Sequence, residues 1–127
     1  MGRGSASAII SAALVLLFCF TTVLLSDMAQ AATFTVGDSG GWTFNTQGWP
    51  QGKTFRAGDT LVFNYRPGTH NVVIVNKAGY NTCRTPKGAQ VLVSGKDQIK
   101  LVKGPNYFIC SYPGHCQSAM KIAVNAV

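Results

Sequence analysis

The sequence predicts an all-β sandwich. Three observations carry that expectation. The apolar runs beyond residue 31 are short and rich in β-branched and aromatic residues, glycine, proline, asparagine and aspartate separate them, and no apolar period of 3.6 residues survives across the breaks. Nothing longer than a turn or two of helix is expected.

In chain order, the first strand is expected at 33–36, where Thr33, Phe34, Thr35 and Val36 are all β-branched or aromatic and the breaker Gly37-Asp38-Ser39-Gly40-Gly41 follows. A short pairing at 54–55 ends in the turn Ala57-Gly58-Asp59. The run at 60–64 (Thr-Leu-Val-Phe-Asn) is closed by Pro67-Gly68, and the run at 71–75 (Asn-Val-Val-Ile-Val) by Lys77-Ala78-Gly79. Further strands are expected at 90–93, stopped by Ser94-Gly95-Lys96, and at 97–101, stopped by Gly104-Pro105-Asn106. The last two are 107–110, before Pro113-Gly114, and 121–125. The segments 47–53, with Trp49-Pro50, and 79–88, with Cys83 and Pro86, read as irregular excursions outside the sheets, and both tryptophans as packing residues.

The chain has 127 residues, 11 Lys+Arg, 4 aspartates and no glutamate, hence a formal charge of +7 and a pI near 9.5. Its 46% hydrophobic content and mean hydropathy of +0.16 are unevenly spread. Residues 9–20 are apolar except for Ser11, follow a region carrying only Arg3, and lead to the small-residue site Ala29-Gln30-Ala31. A secretory leader over 1–31 and one domain over 32–127 are therefore expected. Removing the leader takes away Arg3 and Asp27 together, so the charge remains +7. What is left encloses only a thin core, which a covalent or metal staple would help.

Cys19 belongs to the leader, leaving Cys83, Cys110 and Cys116 in an oxidising compartment. The odd number means an interchain bridge, a free thiol, or one cysteine held as a metal ligand while the other two pair. Cys110 opens the stretch Cys110-Ser111-Tyr112-Pro113-Gly114-His115-Cys116-Gln117-Ser118-Ala119-Met120, a C-x4-H-x4-M spacing, and the only other histidine is His70. Thiolate and thioether suit Cu(I), imidazole accepts both copper states, and two histidines, a cysteine and a methionine are the donors of a mononuclear blue copper site. With Cys110 given to the metal, Cys83 and Cys116 are left to bridge. That bridge would pin the loop carrying His115.

Several stretches resemble the phytocyanins, the plant cupredoxins: Val36-Gly37-Asp38-Ser39-Gly40-Gly41-Trp42, Phe55-Arg56-Ala57-Gly58-Asp59, Phe63-Asn64-Tyr65, His70-Asn71-Val72-Val73 and Asn106-Tyr107-Phe108-Ile109-Cys110. The resemblance spans 32–127 and is nearest to the basic, single-domain plantacyanins or basic blue proteins. It implies a cupredoxin-like Greek-key sandwich of two sheets and about seven or eight strands. It also implies copper ligands His70, Cys110, His115 and Met120, and a Cys83–Cys116 disulfide. Asn71 would tie the His70 loop to the Cys110 loop, and Pro113 and Gly114 would set how His115 reaches the surface.

The function expected is one-electron transfer by a secreted type 1 copper protein of the apoplast or cell wall, with one copper per chain and an exposed His115 edge as the port. The alternative is an extracellular adhesion or signalling module of reproductive tissue in which redox turnover is secondary. An enzyme is not expected, because a multicopper oxidase needs several His-x-His pairs, a zinc hydrolase needs an open position and a base, and no Ser/His/Asp set forms without a copper ligand. Nucleic acid is not an expected partner. Expected instead are a redox partner whose identity the sequence does not carry, and acidic cell-wall polysaccharide or an anionic protein facing basic residues such as Arg56, Arg66, Arg84, Lys87 and Lys121. A monomer without a membrane anchor after leader removal is expected.

Overall fold

The computed structural model describes residues 30–127; apart from Gln30 and Ala31, the expected leader lies outside the described residues. Among the described residues, two sheets carry seven strands. The first sheet contains β1 (Thr33–Thr35), β2 (Thr60–Asn64) and β5 (Lys96–Lys100) in the order β1-β2-β5, with β1 parallel and β5 antiparallel to β2. The second contains β3 (Val72–Val75), β4 (Val91–Leu92), β6 (Gly104–Ile109) and β7 (Lys121–Ala126) in the order β4-β3-β6-β7, antiparallel throughout. Among the described residues, no helix is long and apolar enough to cross a membrane.

The period of two along each strand sorts side chains to opposite faces. On the second sheet, Val72, Phe108, Cys110, Ile122 and Val124 join Leu61 and Phe63 of β2 in the main core, together with Val36, Trp42 and Met120. The alternate residues Val73, Val75 and Ile109 form a second cluster with Cys116, flanked by Tyr80, Cys83 and Tyr107. Cys110 thus faces the main core while Cys116 belongs to the opposite cluster. That division leaves Cys116 free to bond Cys83 and Cys110 free for another role.

Three segments depart from the expected strands. Residues 54–55 make only one bridge, Phe55 to Ala126, reinforced by Val127 N donating to Phe55 O at 2.9 Å. The chain then leaves the sheet because Arg56 N donates to the Asp59 carboxylate at 2.8 Å, closing a turn. Gly104-Pro105-Asn106, expected to break the chain, lies inside β6. Here β6 pairs with β7 alone, so the missing proline N–H costs no ladder bond on the other edge. The Asn106 side chain caps the preceding turn through Val102 N, Val102 O and Gly104 O.

The third departure is a helix, α1 (Lys77–Thr82), across the segments expected to be a breaker and an irregular excursion. Asn76 caps it by accepting from Gly79 N at 2.8 Å, and Cys83 ends it in the left-handed region with its N–H on Gly79 O. Gly79 is required for packing, since a Cβ there would lie 2.9 Å from Val75 Cβ and 2.8 Å from Arg84 O. Tertiary contact with β3, rather than local helix propensity, therefore places α1 over the second cluster.

Candidate metal centre

His70, Cys110 and His115 meet at one end of the sandwich. The Nδ1 atoms of the two imidazoles are 3.1 Å apart, and the His115 Nδ1 lies 3.4 Å from the Cys110 sulfur. The three ligand atoms all fall within 4.8 Å of one another. A triangle of that size suits a metal with bonds of about 2.0–2.3 Å to nitrogen and sulfur.

Each donor is held by its backbone. His70 follows the turn Arg66–Thr69, closed by Thr69 N donating to Arg66 O at 3.1 Å, and precedes β3. Cys110, fully buried, follows β6, and its N–H donates to Met120 O at 3.1 Å. His115 N donates to Tyr112 O at 3.0 Å, and His115 O accepts from Met120 N at 3.2 Å. Ala119 adopts φ +61° between the short 3-10 turn Cys116–Ser118 and Met120. The left-handed step turns the chain back so that Met120 enters the core cluster containing Cys110, where it is fully buried.

The Cys83–Cys116 disulfide is present, with a Cα separation of 5.6 Å, and Cys110 is a buried free cysteine. Among the alternatives for the odd thiol, this leaves Cys110 in the donor triangle. Burial, with the neighbouring His115 a smaller cause, lowers the pKa of His70 from its ordinary 6.5. That shift favours the neutral imidazole a metal requires.

Asn71 and Ser111 join the two ligand loops: Asn71 Nδ2 donates to Ser111 Oγ and Ser111 N donates to Asn71 Oδ1, each at 2.8 Å. Trp42 Nε1 donates to Asn71 O at 2.9 Å, tying a core aromatic to the residue after His70. Pro113 and Gly114 are exposed beside a partly exposed His115, with Gly114 at φ +80°.

Sequence reasoning did not single out Phe44, Ser111 or Tyr112. The Phe44 ring stands edge-on to both imidazoles, with centroids 5.6 Å from His70 and 4.8 Å from His115, although it is 42% exposed. Tyr112 flanks His115 at 5.5 Å. A spacing pattern carries no sign of Phe44, because the loop after Trp42 reaches the site only through backbone bonds such as Thr46 N to Ala119 O at 3.0 Å. The basic residues considered together in the sequence are spread over the molecule. Arg56 lies beside the turn at the opposite end, and Lys121 donates to Tyr80 O at 3.0 Å and covers the Tyr80 ring.

The three converging donors, one cysteine sulfur and two imidazoles, fit copper, and a buried methionine is bonded through its backbone to both Cys110 and His115. Comparisons agree with that chemistry. Residues 42–120 match the family model described as a plastocyanin-like domain. The chain is 60% identical over 126 residues to the basic blue protein of Arabidopsis thaliana, covering 99% of this chain and 98% of the relative. It is 54% identical to the chemocyanin of Lilium longiflorum, covering 98% and 97% of the two chains. Among solved structures, cucumber basic protein, a blue copper protein, superposes with a TM-score of 0.74 at 67% identity, over 75% of this chain and 99% of that one.

Proposed function

The chain belongs to the plastocyanin-like phytocyanins, the plant blue copper proteins, and from that premise we propose that it is a secreted one-electron carrier whose copper is held by His70, Cys110, His115 and Met120. Bound copper supplies a Cu(II)/Cu(I) couple that takes up and releases one electron per cycle. The convergence of two imidazole nitrogens and one buried thiol beside a partly exposed His115 carries this reading.

The protein's part is to keep the donors fixed while the charge changes. Cys110 and Met120 contribute soft sulfur from the core, and the backbone bonds among Cys110, His115 and Met120 set their separation. The Asn71–Ser111 pair and the Cys83–Cys116 bridge hold the two loops against rearrangement. His115, beside exposed Pro113 and Gly114, offers the short route to a docked partner. The electron enters from a donor protein and leaves to an acceptor by that edge, with no bond made or broken in a substrate. The reading assigns no catalytic residue.

Extracellular placement is supported by the composition of residues 1–31 and by a disulfide of the kind that persists in oxidising compartments. Titration of the copper-loaded protein with a one-electron reductant, followed by reoxidation with a soluble one-electron acceptor, tests the carrier. One electron per chain, taken up and returned reversibly, is expected. Uptake of two electrons, or steady consumption of dioxygen, overturns it. The second reading, an adhesion or signalling module, draws on the excess of exposed cations. Cys110→Ser separates the two, because biological activity that survives loss of the thiolate belongs to the module and not to the carrier.

A further inference from the structure

We infer that the outer face of the three-stranded sheet, along β5, is a docking surface for an extended carboxylate-bearing polysaccharide. On β5, Lys96, Gln98 and Lys100 are exposed while Asp97 and Ile99 point inward. The two lysines are four residues apart on a strand, about 13 Å. An arginine lies beyond each end. Tyr65 N donates to Gly95 O at 2.9 Å, so exposed Arg66 follows directly beyond the end of the β2–β5 pairing. At the other end, Lys100 Cε lies 3.9 Å from where a Cβ on Gly58 would stand, in the turn that carries exposed Arg56. Lys96 and Lys100 thus stand on the edge strand, and Arg66 and Arg56 lie in the chain segments just beyond the two ends of β2.

The nearby carboxylates are withdrawn from that row. Asp59 is 3% exposed and accepts from the backbone N–H groups of Ala32 and Arg56. Asp97 is 5% exposed and accepts from Ser94 N, Ser94 Oγ and the Tyr65 hydroxyl. Among the described residues the remaining aspartate, Asp38, is exposed in the turn after β1, on the other side of β2 from β5. Lysines on an edge strand also discourage strand addition, but that role needs neither the flanking arginines nor the burial of both acids.

The chemistry around the row selects the class of polyanion. In register with the lysines stand Asn64 and Thr60 of β2, and Thr33 of β1 lies opposite Thr60. With Gln98 they present hydroxyl and amide groups suited to sugar hydroxyls. Among the described residues the exposed large aromatic, Phe44, lies at the metal end rather than on this face, where it could stack nucleobases. Beyond Lys100, Val102 is 66% exposed, but a single valine is less than the apolar face that enters a lipid surface. An extended uronate polymer matches the spaced lysine charges of β5, set among polar groups and followed by an arginine beyond each end of β2.

This inference rests on the extracellular placement proposed above and is independent of the copper chemistry. The test is binding of the copper-loaded protein to immobilised polygalacturonate across a salt gradient. Lys96→Gln with Lys100→Gln is expected to weaken binding about tenfold and to flatten the salt dependence. The charge-matched pair Lys77→Gln with Lys87→Gln, on and after α1, is expected to change it less than about twofold. Gln98→Lys is expected to tighten it. The visible copper band, recorded for every variant, stays unchanged if only docking is affected. Equal losses in the two lysine pairs overturn the inference, as do equal binding of a fully methyl-esterified polymer or tighter binding to duplex DNA or anionic vesicles.

Discussion

Asn71 and Ser111 exchange two hydrogen bonds of 2.8 Å across a gap of 40 residues, so the loop after His70 and the loop after Cys110 move as one unit. Asn71 is buried, and its carbonyl also accepts from Trp42 Nε1. Asn71→Ala removes both side-chain bonds and leaves Ser111 N–H without its partner, a loss of about 1–3 kcal/mol. The denaturation midpoint should fall accordingly, copper should pass faster to a chelator, and the reduction potential should shift. A stability loss with unchanged copper release would place Asn71 outside the control of the site.

Phe44 packs edge-on against both ligand imidazoles. Each such aromatic contact contributes roughly 0.5–1.5 kcal/mol beyond its buried area. Phe44→Ala should therefore speed copper release severalfold while the global denaturation midpoint changes little, because Phe44 lies outside the main core cluster. Phe44→Leu, which restores bulk without the ring, should recover only part of the loss.

The Cys83–Cys116 bridge closes a loop of sequence separation 33 and ends next to His115. On the chain-entropy account it contributes about 3–4 kcal/mol. The double substitution Cys83→Ala with Cys116→Ala should lower the unfolding free energy by that amount, read from the shift of the denaturation midpoint. Cys110, being fully buried and outside the bridge, should still supply its sulfur to copper.

Burial, aided by the hydrogen bond to Asp97, pushes the Tyr65 phenol up to about 12 from 10.0. A raised pKa means that the folded state holds this proton more tightly than the unfolded chain. The linked stability is complete below pH 10 and is lost as pH rises through 12. Tyr65→Phe should be less stable than the parent at pH 8 by about 1 kcal/mol. That difference should shrink between pH 10 and 12 when denaturation midpoints are compared.

Much of the fold and site is legible in residue type and spacing, for identifiable reasons. Strand β2 occupies 60–64 as expected because a β-branched and aromatic run there is bounded by turn residues. The C-x4-H-x4-M run is local, so one reversal of chain brings its residues together, and donor chemistry alone marks His70 as their partner despite its distance in sequence. Helix α1 was hidden because Lys-Ala-Gly-Tyr-Asn-Thr has weak helix propensity and forms against Val75. Pro105 read as a breaker, yet β6 tolerates it where the strand pairs with β7 alone. Phe44 and Ser111 acquire their roles only when loops distant in sequence close over the donors.

The visible and electron-spin spectra of the copper-loaded protein test the central claim most directly. An intense thiolate-to-copper charge-transfer band at one copper per chain, bleached by one electron and abolished in Cys110→Ser, is the predicted result. Stoichiometric copper without that band, or a band that persists after Cys110 is replaced, would contradict a blue copper centre built on His70, Cys110 and His115.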